Sequence, residues 1–167
     1  MSEPMWGQRR RPDPGPAASS VGRWEPISPS DLALDRRELA TALRHDGGPA
    51  GADADAVEDA LERLLLAYEE LTSNALRHGR APIEVAVTAF GTSWLLDVSD
   101  AAGDQPPMPA VDRDPARGGI GLRLVARICS AHGWCTRQGR KSVWACIDVL
   151  EGAASKAHPG AGSPATG

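Results

Sequence analysis

The chain has no long apolar run and no excess of positive charge. No stretch approaches the roughly 18 consecutive apolar residues that a bilayer span requires, so the sequence predicts no transmembrane segment. The net charge is -4 at pH 7, whereas proteins that bind nucleic acid directly usually carry a basic stripe. We therefore expect no membrane association and no direct contact with nucleic acid.

Cysteine is also scarce. Cys129, Cys135 and Cys146 form neither a CxxC pair nor an even set for disulfides, which is typical of a reducing compartment. Their spacing does not match a zinc site, so we interpret them as small buried hydrophobic residues. The arginine run at residues 9–11 is not followed by the apolar segment that an export signal requires. The expected location is the cytoplasm.

Glycine and proline are concentrated at the two ends of the 167-residue chain. Residues 1–22 and 151–167 have little to bury, and we predict that they form disordered tails. Residues 23–150 then form one folded domain, because a chain of this length builds one core more readily than two.

The hydrophobic pattern between the tails predicts helices and hairpins in a definite order. One helix is predicted from an N-cap at Ser30, and a second, long amphipathic helix from about Ala54 to His78. A hairpin follows, turning at residues 91–92. A third helix over residues 121–133 then leads into a second hairpin. Antiparallel hairpins and amphipathic helices together predict an α/β (α+β) two-layer sandwich with helices on one face.

The sequence "EELTSNALRHG" places Glu70, Asn74 and His78 four residues apart, in one line along the second predicted helix. A carboxylate and a carboxamide one helical turn apart suit a general base and a ligand for a divalent cation. The alternative is a solvated flank, with His78 at the helix end where the dipole favours a cation. We assign Glu69 and Arg77 to that flank.

Two glycine-containing segments favour the chemical interpretation. Asp100 ends the second predicted strand and enters the turn "AAGD", and "ARGGIGLRLV" sets three glycines directly before a predicted helix. Small residues there let an anion approach the N–H groups at a helix N-terminus. Residues 101–118 lie between the two segments, and loops of that length inside a compact domain are usually functional.

In this order, the three segments resemble the motifs of the GHKL superfamily of nucleotide-binding proteins, the histidine kinase-like ATPases. "EELTSNALRHG" is similar to the N box, "DVSDAAG" to the first glycine box and "RGGIGLRLV" to the second. The short single-domain form and the ending "HGWCTRQGRKSVWACIDV" are most similar to bacterial anti-sigma factor serine/threonine kinases and their actinomycete ATP-binding relatives. The resemblance covers residues 54–149 and implies the Bergerat ATP-binding fold, with a mixed, mainly antiparallel sheet.

The resemblance also implies roles for the matching residues. Glu70 would be the catalytic base, Asn74 would bind the Mg²⁺ that bridges the nucleotide phosphates, and Asp100 would accept a hydrogen bond from the adenine amino group. The other nucleotide contacts would come from three glycines, an arginine and a leucine: Gly103, Gly119, Gly121, Arg117 (or Arg113) and Leu122. Residues 101–118 would form the ATP lid. For Arg117, a solvated loop arginine is the alternative.

The implied function is a Mg²⁺-ATP-dependent protein serine kinase that acts as an anti-sigma factor. It would sequester a sigma factor and phosphorylate a serine of an anti-sigma antagonist protein. Dimerisation through a sheet edge or the first helix would fit the same resemblance.

The first glycine box departs from the usual Asp-x-Gly-x-Gly, because here Asp100 is followed by Ala-Ala, Gly103 and Asp104. The departure favours a second hypothesis, a non-catalytic ATP-binding module that controls a protein partner. A purely structural protein is the third alternative, which the combination of "GGIGL" with Asn74 disfavours.

Overall fold

The computed structural model describes residues 6–107 and 121–150. The elements of these two ranges follow in chain order: strand β1 (Ser19–Trp24), helix α1 (Pro29–Asp46), helix α2 (Ala54–His78), strand β2 (Glu84–Phe90), strand β3 (Ser93–Asp100), helix α3 (Gly121–Ile128), strand β4 (Ala131–Arg137) and strand β5 (Arg140–Asp148). None of these helices is long and apolar enough to cross a membrane.

The five strands form one sheet in the order β1-β2-β3-β5-β4, and the three helices pack on one of its faces around a single main core. This confirms the predicted two-layer sandwich. Every pairing between the described strands is antiparallel. An isolated parallel bridge, between Gln8 and Trp134, joins a non-strand residue to β4.

Helix α2 is the central element of the core and has the bounds that the sequence predicted. The Asp53 side chain accepts a hydrogen bond from the Ala56 N–H at 2.8 Å and so caps the start of the helix. Its apolar seam, including Leu64 and Tyr68, is fully buried. The helix ends at Gly79, whose N–H still bonds to the Ala75 carbonyl. Because α2 packs on β3 and β5, its flank is held close to the ends of those strands.

Helix α1 begins earlier than predicted, and the assignment of Ser30 as the N-cap was wrong. The N-cap is Ser28, followed by Pro29 at the first helical position, where the missing N–H of proline costs nothing. The Asp31 carboxylate accepts a hydrogen bond from the Ser28 N–H at 2.9 Å. Asp31 can reach back in this way only if the helix starts at Pro29, which explains the shift.

The first hairpin is as predicted, since Phe90 pairs with Ser93 across the turn at residues 91–92. The second hairpin is longer than predicted. Helix α3 ends at Ile128, and the β4–β5 ladder already begins at the pair Ala131–Cys146, so this pairing overrides the helical pattern of residues 131–133. His132, which the pattern placed in the third helix, therefore lies on a strand, and Trp134 lies on the same strand, where the second hairpin was predicted.

The N-terminal segment differs from the predicted tail over its described residues, 6–22. Trp6 is only 3% exposed, and its indole N–H donates to the Leu122 carbonyl at 2.9 Å. Its ring lies against the His132 ring, with 4.7 Å between the centroids. Strand β1 also begins inside the predicted tail. The sequence pattern gave no warning of this, because an isolated tryptophan has no periodicity from which burial could be predicted.

Residues 7–11 run along β4 and onto the open face of the sheet. The Arg9 N–H donates to the Trp134 carbonyl at 2.9 Å, and the Trp134 N–H donates to the Gly7 carbonyl at 3.2 Å. Gly133 permits this approach, because a Cβ there would lie 2.8 Å from the Arg9 side chain. Arg11 then pairs with Asp97 of β3 at 3.2 Å. The segment thus covers the outer edge of β4.

The three cysteines are free thiols. Burial raises the pKa of Cys129 to about 11 and the pKa of Cys146 to about 12. Both thiols are therefore protonated at neutral pH. Only the deprotonated form, the thiolate, binds metal or attacks an electrophile. Cys146 is buried as predicted, whereas Cys129 and Cys135 are only half-buried.

The burial of Trp6 predicts that the N-terminal segment contributes to stability. We expect Trp6→Ala to lower the free energy of unfolding by about 3 to 5 kcal/mol, as for other buried tryptophans. Trp6→Phe keeps most of the packing but loses the indole N–H, and should cost about 1 kcal/mol. Urea unfolding measures both. Ile27→Ala, at a side chain 90% exposed, is the control; equal effects of Trp6→Ala and Ile27→Ala would contradict the prediction.

Candidate functional site

The flank of helix α2 presents Glu70 and Asn74 beside the buried seam. Leu71 and Ala75, the next residue in each case, are buried in the core, whereas Glu70 and Asn74 are only half-buried. The two polar side chains are one helical turn apart and therefore point to the same side. Both side chains are neither fully exposed nor fully buried, which suits groups that contact a ligand.

Glu70 lies directly against Gly121, the first residue of helix α3. Any side chain at Gly121 would overlap the Glu70 carboxylate. The structure thus brings together one residue from each of two sequence motifs that are 51 positions apart. The carboxylate sits beside the N-terminal end of a helix, and the glycine is what allows it to lie so close.

Asp100, at the end of β3, is completely enclosed. Its side chain is 1% exposed, and Oδ1 accepts hydrogen bonds from the Ala102 N–H at 2.7 Å and from the Arg80 N–H at 3.4 Å. Gly79 packs against the same carboxylate, since a Cβ there would lie 2.7 Å from Cγ. Asp100 therefore ties the end of helix α2 to the turn that follows β3.

The remaining oxygen of Asp100 is paired with a residue that the sequence reasoning missed. Lys141 Nζ lies 3.3 Å from Asp100 Oδ2, and the lysine side chain is 4% exposed. The two residues are directly opposite each other in the β3–β5 ladder. A signal was available: Lys141 falls on the same strand face as Val143 and Ala145, which are buried, so the period of two places a cation in the core.

Gly103 is not directed at Glu70 or Asn74. It packs against the β4–β5 turn, because a Cβ there would overlap the Gly139 carbonyl. Its own carbonyl accepts a hydrogen bond from the Thr136 hydroxyl at 2.9 Å. In this structure Gly103 joins the turn after β3 to the second hairpin.

Leu122 is buried, and its carbonyl holds the Trp6 indole. The other predicted nucleotide contacts, Arg117 and Gly119, lie outside the described residues, as do Arg113 and residues 108–118 of the predicted lid.

The residues next to Glu70 and Asn74 on helix α2 form the solvated flank that the sequence suggested. Glu69 pairs with Arg36 at 3.3 Å, and both side chains are close to half exposed. Arg77 is exposed, and His78 is half-buried in the last turn of α2. Adjacent glutamates therefore have different surroundings: Glu69 faces helix α1, and Glu70 faces helix α3.

Comparison with known proteins agrees with this geometry. Residues 28–147 match the family described as the histidine kinase-like ATPase domain. The chain belongs to this family. The predicted membership of the GHKL superfamily is thereby confirmed, and it implies binding of ATP, typically with Mg²⁺.

The histidine kinase-like domain is also similar in structure to the histidine kinase AdeS of Acinetobacter baumannii. That match has 12% identity and a TM-score of 0.42, over 78% of this chain and 68% of that chain. No curated protein matches the sequence.

Among the described residues, Glu70 and Asn74 are suited to the phosphate and metal end of a nucleotide. No group of three or more histidine, cysteine or acidic side chains that would form an all-protein metal cage occurs in the described ranges. Mg²⁺ does not need such a cage, because it is usually bound through one or two protein ligands and substrate phosphates. Asn74 supplies a suitable amide oxygen. At the base end, by contrast, the predicted acceptor Asp100 is already paired with Lys141.

The close packing of Gly79 gives a test of this architecture. A Cβ at position 79 would lie 2.6 Å from the Ala75 carbonyl oxygen and 2.7 Å from Asp100 Cγ, and neither atom belongs to a flexible side-chain end. We expect Gly79→Ala to lower the free energy of unfolding by about 1 to 3 kcal/mol through overpacking, measured by urea unfolding. Gly7→Ala is the matched control, because its Cβ would meet nothing closer than 3.7 Å. Equal stability of the two variants would contradict the geometry.

Proposed function

We propose that this histidine kinase-like domain is a Mg²⁺-ATP-dependent protein serine kinase that acts as an anti-sigma regulatory factor. The observation that carries the proposal is the contact between the Glu70 carboxylate and Gly121. The contact places a proton-accepting carboxylate beside the N-terminal end of helix α3, which follows the glycine segment. An anionic phosphate group is best stabilised at such a helix end.

In this proposal Glu70 is the general base. Its half-buried carboxylate accepts the proton of a substrate serine hydroxyl as the oxygen attacks the transferred phosphoryl group. A positioned base typically contributes about 10²- to 10⁴-fold in rate. The contact with Gly121 and the rigidity of helix α2 fix the carboxylate, and positioning of this kind supplies much of the catalysis in phosphoryl transfer.

Asn74 holds the metal in the proposed mechanism. When bound there, Mg²⁺ would supply positive charge to the phosphate oxygens. One helical turn separates Asn74 from Glu70, so the side chain that anchors the metal and the one that accepts the proton keep a constant separation. The first N–H groups of helix α3 are unpaired within the helix and are available to phosphate oxygens.

The anti-sigma role and the partners rest on the sequence resemblance to anti-sigma factor kinases. The proposed partners are a sigma factor, which the domain sequesters, and an antagonist protein, whose serine it phosphorylates.

A homodimer through a sheet edge is part of the proposal, and the fold limits where the contact would form. The edge strands are β1 and β4. Residues 7–9 already bond to the outer side of β4, so β1 is the edge strand to which a second chain would pair.

A second candidate function is a non-catalytic regulatory module whose nucleotide occupancy sets its shape for a protein partner. The buried Asp100–Lys141 pair favours it, because the pair occupies the expected base acceptor. A kinase loses its regulatory effect when its base is removed, whereas a binding module retains it. Glu70→Ala therefore separates the two candidates, with sigma-factor release as the readout.

For the kinase, we expect Glu70→Gln to reduce transfer of labelled phosphate to serine by at least about 100-fold, because the amide cannot accept the proton. The measurement incubates the protein with labelled ATP, Mg²⁺ and candidate antagonist proteins. Glu69→Gln is the matched control, since Glu69 faces Arg36 on the other side of the helix. Tight binding of nucleotide by wild type without any transfer would reject the kinase and favour the regulatory module.

For the metal site, we expect Asn74→Ala to weaken Mg²⁺-ATP binding about tenfold or more and to have little effect on ATP binding in EDTA. The amide oxygen contributes only when the metal is present. Calorimetric titration with and without Mg²⁺ measures both affinities. The proposed role of Asn74 would be wrong if the substitution weakened binding equally in the two conditions.

A further inference from the structure

We infer that Lys141 holds the Asp100 carboxylate in an internal ion pair, so that this domain binds nucleotide through the phosphates and metal and does not read the amino group of the base. The inference rests on the proposed function, which requires that the domain bind a nucleotide, and it departs from the resemblance, which implied that Asp100 accepts a hydrogen bond from that amino group. It assigns a role in specificity to Lys141, which none of the three recognised sequence motifs contains.

The first step is the position of the pair. Asp100 and Lys141 are direct partners in the β3–β5 ladder, and both side chains face the helices. The distance from Nζ to Oδ2 is 3.3 Å, and the side chains are 4% and 1% exposed. Neither group can be solvated in this arrangement, so each depends on the other for compensation of its charge.

The second step is the count of hydrogen bonds to the carboxylate. Oδ1 accepts from two backbone donors, Ala102 at 2.7 Å and Arg80 at 3.4 Å, and Oδ2 faces the ammonium group. The two backbone donors and the ammonium group take three of the about four lone-pair sites of the carboxylate. Because the Asp100 side chain is 1% exposed, a base amino group would reach the remaining site on Oδ2 only if Lys141 moved aside. Displacement would leave a buried ammonium without its partner, which is strongly unfavourable, and that cost would cancel most of the gain from the new hydrogen bond.

The third step is the contrast with the phosphate end. Glu70 and Asn74 are half-buried, and among residues 6–107 and 121–150 no ion pair to Glu70 is found; Glu69, not Glu70, is the glutamate that pairs with Arg36. Binding energy is therefore available from phosphate and metal contacts but not from recognition of the base. A domain of this kind binds ATP and a nucleotide without the amino group with similar affinity.

The test compares ATP with ITP, in which a carbonyl oxygen replaces the amino group of adenine. Calorimetric titrations with Mg²⁺ are made on the full chain for wild type, Lys141→Thr and Lys141→Met. The expected result is that wild type binds ATP and ITP within about threefold of each other. In Lys141→Thr the carboxylate keeps its two backbone donors and gains a free lone pair, so the preference for ATP should rise at least about tenfold. Lys141→Met removes the charge but keeps the bulk of the side chain, and should raise the preference less.

Arg140→Met is the matched control, because Arg140 precedes Lys141 on β5 and pairs with Glu84 at 3.6 Å on the opposite face of the sheet. It should leave the ratio of ATP to ITP affinity unchanged. Circular dichroism and the melting temperature establish that each variant is folded. If the Lys141 variants do not fold, the wild-type ratio decides alone.

Four results are informative. A wild type that prefers ATP by tenfold or more overturns the inference and leaves the proposed function standing. A folded Lys141→Thr variant with the wild-type ratio also overturns it. If neither wild type nor Lys141→Thr binds any nucleotide, the proposed function fails and the inference fails with it. Binding by Lys141→Thr alone also overturns both, because each requires that wild type bind nucleotide through the phosphates and metal.

Discussion

Helix α2 packs its apolar seam onto strands β3 and β5, and the geometry of the candidate site depends on that contact. The seam holds the helix at a fixed rotation, so the polar flank beside it faces helix α3 and the end of the helix meets Asp100. A rotation that put Glu70 in the place of Leu71 would bury its carboxylate in the core. The burial of hydrophobic surface thus sets the position of the catalytic candidate as well as the stability of the fold.

Much of the fold could be predicted from periodicity. The bounds of α2 and the first hairpin follow from apolar residues at steps of three and four or of two, where one face of an element is buried. The start of α1 was missed because it depends on one carboxylate, that of Asp31, reaching back to Ser28. The position of His132 was missed because strand pairing with β5 outweighed a helical pattern. Trp6 was missed because burial of a single side chain leaves no pattern in the sequence.

The site was predicted in part for the same reason. Glu70 and Asn74 stand beside a periodic seam, and motifs with glycine locate the segments that approach them. Lys141 was not predicted because it lies in none of the three recognised motifs. A lysine on the buried face of a strand is nevertheless informative by its position alone. Ionisable residues at apolar positions of two paired strands predict a buried ion pair, and Asp100 with Lys141 is an example. The flank with Glu70 and Asn74 and the Asp100–Lys141 pair are consequently built on different principles, since the flank is half-open and the pair is internally compensated.

The course of residues 7–11 along β4 has a consequence for the sheet as a whole. An open sheet normally has two edges at which another strand can add, and repeated addition at both edges leads to open-ended assemblies. Here one edge is occupied by the chain's own N-terminal segment, within the described residues. Any strand-to-strand association between identical chains would therefore use β1, and a contact that uses the same single edge in both chains closes after two copies. The N-terminal segment would then leave the sheet with one edge for growth instead of two.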